Sequence, residues 1–85
     1  KFDYHYIKGA SYYGMKDFDN ALKELLSANK IYDSDLRVLN LIGFTLFNLK
    51  EYDGAMKTFN ASIKLDRNQP MINRVLKEIR SRIKK

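Results

Sequence analysis

Two short stretches decide the fold: Lys16-Asp17-Phe18-Asp19-Asn20-Ala21 and Lys50-Glu51-Tyr52-Asp53-Gly54-Ala55. They lie 34 residues apart and share one pattern: a lysine, an acid, an aromatic ring, an aspartate and, two positions on, an alanine. Extending that overlay in both directions places Gly9 on Gly43, Lys23 on Lys57 and Lys30 on Lys64 without a gap. Close replacements fill the spaces between, among them Ser11/Thr45, Tyr13/Phe47, Met15/Leu49, Leu25/Phe59 and Ile31/Leu65. Residues 2–35 and 36–69 are therefore two copies of one unit, and 70–85 is a remainder. A fixed period of this size marks supersecondary units that bury their apolar faces on one another.

Each unit reads as two helices. Residues 36–49 carry Leu, Ile and Phe at helical spacing, and 52–65 show Tyr52, Ala55, Met56, Phe59 and Ile63 along one stripe. The link between them is so short that the helices must run antiparallel. Acids at Asp17, Asp19, Glu51 and Asp53 open the second helix of each unit, and Lys30 and Lys64 close it, both in the sense that complements the helix dipole. Pro70 suits the first turn of a last helix, which shows Ile72, Val75, Leu76, Ile79 and Ile83 on one face. The expectation is an all-α fold of five helices in a single domain, 1–85: two hairpins and a closing helix at 70–85.

Composition narrows the chemistry. The 85 residues contain no Cys and one His, which excludes a disulfide scaffold, a thiolate metal site and a His-cluster site, and leaves no expected cofactor or catalytic group. His5 lies on the face that should pack on the following helix, so a half-buried, hydrogen-bonded side chain is expected there. Asp33-Ser34-Asp35 lacks the glycine and distal glutamate of a calcium loop, and Asn60-Ala61-Ser62 falls inside a helix; neither is read as a site. No apolar run is long enough to span a bilayer. The chain opens on neither a signal peptide nor an initiator Met and reads as an excised or processed segment, with no compartment written into it beyond a lean to the cytoplasm. Its net charge of +6 sits wholly in residues 67–85, the rest being neutral.

The 34-residue helical hairpin resembles the tetratricopeptide repeat family. That pattern has a small residue where the two helices of a hairpin cross, filled here by Gly9 and Gly43. A small residue early in the second helix is Ala21 and Ala55, a large apolar residue one turn on is Leu25 and Phe59, and a second small residue is Ala28 and Ser62. The first unit departs from it, with His5 and Lys8 where the second has Leu39 and Ile42, as terminal repeats often do. The resemblance implies a protein–protein interaction scaffold that holds a peptide or a helix in a groove lined by the first helix of each hairpin. One sub-class of the family clamps chaperone C-terminal carboxylates with Lys, Asn and Arg. Its clamp positions are filled here by Tyr6, Ala10, Leu41, Met71 and Val75, so that clamp is absent.

A helical wheel of about 100° per residue locates the groove side chains. In the second unit Arg37, Asn40, Phe44, Phe47 and Asn48 share one arc, opposite Leu39, Ile42 and Leu46. The first unit contributes Tyr6 and Tyr13, and Arg74 of the closing helix should flank them. Phe44 is read as a groove contact standing outside the core. Two other classes stay open: self-stacking or membership of a longer array, and binding of nucleic acid or an anionic surface through the basic end. The second is disfavoured because Arg74, Lys77 and Arg80 do not interleave with aromatic rings.

Overall fold

The computed structural model describes residues 1–83, so Lys84 and Lys85 of the expected closing helix lie outside it. The described residues form five helices in order: α1 (Phe2–Gly14), α2 (Phe18–Ile31), α3 (Leu36–Asn48), α4 (Tyr52–Leu65) and α5 (Pro70–Ile83). α1 packs on α2 and α3 on α4 as hairpins, α2 packs on α3, α4 on α5, and α1 touches α3 directly.

The links within the two hairpins are built alike. Lys16 and Lys50 take positive φ, 63° and 65°. Around Lys16 the N–H of Asp17 bonds the carbonyl of Tyr12 and that of Lys16 bonds Tyr13, both at 2.9 Å. Glu51 to Leu46 (2.9 Å) and Lys50 to Phe47 (3.0 Å) repeat the pattern. This is a Schellman closure with lysine where glycine is usual. The next residue then starts the following helix: Asp17 accepts from the N–H of Asn20 at 3.3 Å, whereas the longer Glu51 makes no side-chain cap. A side chain in the left-handed region is strained, so Lys50→Gly should stabilise the chain by about 0.5–1 kcal/mol, read as a higher denaturation midpoint at unchanged slope. An unchanged or lower midpoint would contradict the closure.

Each hairpin closes on a glycine. A Cβ on Gly9 would lie 2.7 Å from Cγ of Leu25, and one on Gly43 would lie 2.5 Å from Cε1 of Phe59. The small residue of the first helix thus sits against the large residue of the second, one repeat like the other. Two buried clusters follow in the same register: Ala21, Leu25, Val38 and Ile42, then Ala55, Phe59, Ile72 and Leu76. Each pairs a second helix with the first helix of the next unit, so α5 continues the stack. Gln69 fastens that junction, its Nε2 donating to Ser62 Oγ (3.0 Å) and to the carbonyl of Asp66 (2.8 Å).

Two faces end the stack. On α5, Lys77 holds the glycine register and is exposed. Ile83, expected on the packed face, is 43% exposed. It shares the register of Met15 and Leu49, at the hairpin link, and no second helix follows it among the described residues. On α1, Tyr4 and Ile7 are 58% and 61% exposed, although the register partners of Tyr4, Val38 and Ile72, are buried and those of Ile7, Leu41 and Val75, are half-buried.

Candidate functional site

The first helix of each unit and α5 contribute one strip, on the side of α3 opposite Leu39 and Ile42. Three pairings cross it. The Arg37 guanidinium lies 4.7 Å from the centre of the Tyr6 ring, joining α3 to α1. Asn48 Nδ2 donates to the Tyr13 hydroxyl at 3.4 Å and to the carbonyl of Phe44 at 2.8 Å. The Arg82 guanidinium lies 5.4 Å from the Phe47 ring and donates to the Tyr52 hydroxyl at 3.3 Å, joining α5 to the second hairpin. The strip is a row of half-buried aromatic rings, two of them under guanidinium groups and the third bonded at its hydroxyl by an amide. Each such cation–π pair is worth about 0.5–1 kcal/mol at exposed sites.

Both arginines on the rings are already paired. Arg37 binds Asp35 through Nε (3.1 Å) and Nη2 (2.8 Å), and Asp35 also caps α3 by accepting from the N–H groups of Arg37 and Val38. The bond from Arg37 holds the Asp35 carboxyl below its ordinary range. Arg82 pairs with Glu78 one turn earlier, at 2.7 Å. Arg74 is exposed and makes no ion pair among the described residues.

Of the eight residues expected here, Tyr6, Tyr13, Arg37, Phe47 and Asn48 come together in these pairings, and Arg74 stands apart on α5. Asn40 is half-buried and structural: its Nδ2 donates to Gln69 Oε1 at 2.8 Å, tying α3 to the α4–α5 link. Phe44 needs a correction. It is half-buried and stands edge-on to Phe59 at 5.0 Å, so one edge of its ring belongs to the second core cluster. The reason is the size of Phe59. Lying across Gly43, its ring extends to the neighbouring residue on α3. Arg82 was missed as a site residue, although one more 34-residue step from Asn48 lands on it.

The only histidine is accounted for structurally. His5 Nδ1 lies 2.9 Å from Glu24 Oε1 and Lys8 Nζ 3.6 Å from Glu24 Oε2, across the α1–α2 interface. The His5 hydrogen bond, followed by the nearby Lys8 charge, holds the Glu24 carboxyl below its ordinary range despite its burial. Among the described residues no group of three or more His, Asp or Glu side chains is placed to hold a metal ion, and no helix is long and apolar enough to cross a membrane.

Comparison with known proteins bears on the fold. Residues 36–69 match the tetratricopeptide repeat model. No curated protein sequence matches the chain. Among solved structures, the chain is similar to the first TPR of Spaghetti (RPAP3) bound to HSP90 peptide SRMEEVD, with a TM-score of 0.94 and 18% identity over 100% of this chain and 68% of that one. It is also similar to MamA AMB-1, with a TM-score of 0.93 and 19% identity over 98% of this chain and 45% of that one. The match at 36–69, the superposition of all five helices and the glycine crossings lead to one assignment: the second hairpin is a tetratricopeptide repeat, and the chain has the fold of the tetratricopeptide repeat family.

Proposed function

We propose that the chain is a protein–protein interaction module that holds a peptide or helix along the strip formed by α1, α3 and α5, and that it is a scaffold and not a catalyst. The observation that carries this reading is the row of three pairings: Tyr6 with Arg37, Tyr13 with Asn48, and Phe47 with Arg82. Aromatic rings and arginines are the side chains that concentrate binding energy at interfaces. Here the rings are half-buried and the exposed arginines are held by Asp35 and Glu78, so little ordering cost remains when a ligand covers them. The peptide-bound neighbour supports a protein partner. The clamp positions for a terminal carboxylate are occupied by Tyr6, Ala10, Leu41, Met71 and Val75, which points to recognition by apolar and hydrogen-bonding contacts along the ligand and not at its end.

The test is selection of ligands from a peptide library on the intact chain, followed by Tyr6→Ala and Phe47→Ala. Loss of one anchor should weaken binding by about 2 kcal/mol or more while the chain remains folded by circular dichroism. Ligands that bind both variants as tightly as the parent would defeat the proposal.

A further inference from the structure

The opposite face carries a second feature. Between α2 and α4 runs a valley whose floor is Leu39 and Ile42 of α3, the residues turned away from the aromatic strip. It encloses about 230 Å³ and is walled by Leu26 on one side and by Ala61 and Lys57 on the other. Leu26 is 48% exposed, a large apolar side chain left open beside the pocket. Asn29 also lines the valley, and its Oδ1 is shielded from water with no hydrogen-bond partner. A buried acceptor without a partner is uncommon in folded proteins.

The crests on either side are basic. Lys23 and Lys30 flank Leu26 at helical spacing on α2, and Lys57 and Lys64 take the same two register positions on α4. All four are exposed and none makes an ion pair among the described residues. Asp19 and Asp53 stand one turn before Lys23 and Lys57, in the first turns of their helices, so the halves of the crests beside the pocket carry lysine alone. An apolar slot between two rows of unpaired cations is complementary to a bulky apolar side chain flanked by carboxylates.

We infer that the α2–α4 valley is a second docking site, specific for an acidic peptide segment that seats one leucine-sized side chain over Leu39 and Ile42 between the lysine rows. This site is distinct from the aromatic strip and does not depend on it. The probe is a fluorescein-labelled peptide with a central leucine among glutamates, compared with the same peptide carrying serine in place of the leucine. Binding to the intact chain is read by anisotropy, and its location by amide chemical shifts. The leucine peptide should bind and shift the amides of Leu26, Asn29 and Ala61. The double variant Lys30→Glu/Lys57→Glu should weaken it by about tenfold or more, since like charges facing each other across an interface are strongly unfavourable. Both substitutions lie on exposed side chains, so melting should confirm an intact fold. Arg37→Ala, on the strip, should leave this binding unchanged, which keeps the two sites separable. The inference is overturned by absence of binding at millimolar peptide, by equal binding of the serine peptide, by indifference to the lysine substitutions, or by oligothymidylate or phosphatidylserine vesicles competing as strongly as the leucine peptide.

Discussion

Replacing Gly43 with Leu should leave the chain without a cooperative melting transition. In an exposed helix interior a larger residue in place of glycine gains about 1 kcal/mol of helix propensity. At Gly43 the sign reverses, because even a Cβ would come within 2.5 Å of the Phe59 ring. The ring cannot swing aside, since Phe44 stands edge-on to it at 5.0 Å and its own side chain is fully buried. Overpacking of this kind costs about 1–3 kcal/mol and at times more. Natural domains hold only about 0.05–0.15 kcal/mol per residue in reserve. Gly43→Ala should show a smaller loss of the same sign. Gly9→Ala should also destabilise, because its Cβ would lie 2.7 Å from Cγ of the fully buried Leu25 and 3.3 Å from the Leu25 backbone nitrogen. Thermal melts followed by circular dichroism check the series, and a Gly43→Leu variant melting with the parent would mean that the crossing is looser than described.

The second large effect concerns α5. A chain ending at Gln69 loses Ile72, Leu76 and Ile79, and uncovers Ala55 and Phe59 on α4. Burial of each aliphatic side chain is worth about 1.5–3 kcal/mol, and the uncovered face is apolar. The shortened chain should therefore self-associate or lose its cooperative transition, as sedimentation and melting would register. A monomer of unchanged stability would make α5 an appended tail.

The repeat was legible because both of its structural demands fall on residue types that nothing else at those positions explains. Glycine is required at the crossing, where helix propensity disfavours it, and an acid opens each second helix. The links were legible for the same reason, although the left-handed lysines at 16 and 50 were not, since lysine does not announce that conformation. Within the strip, the helical wheel placed Tyr6, Arg37, Phe47 and Asn48 on a common side. It failed for Phe44 and Asn40 because a wheel reports the direction of a side chain and not the reach of its neighbours. Phe59 reaches past Gly43, and Gln69 arrives from a link 29 residues further on. Arg82 escaped the overlay because the two units end at residue 69.

The uncovered side of α1 has a kinetic consequence. α3 is enclosed by α2 and α4, whereas α1 leans on α2 with Tyr4 and Ile7 open to water. Segments with few buried neighbours open at a free energy well below that of global unfolding, so the backbone amides of α1 should exchange with solvent deuterium before those of α3. Two of the three rings of the aromatic strip, Tyr6 and Tyr13, therefore ride on a segment that opens before α3. A ligand bridging Tyr6 and Arg37 would occupy the strip and also latch that segment shut, and its residence time would be tied to how often α1 breathes.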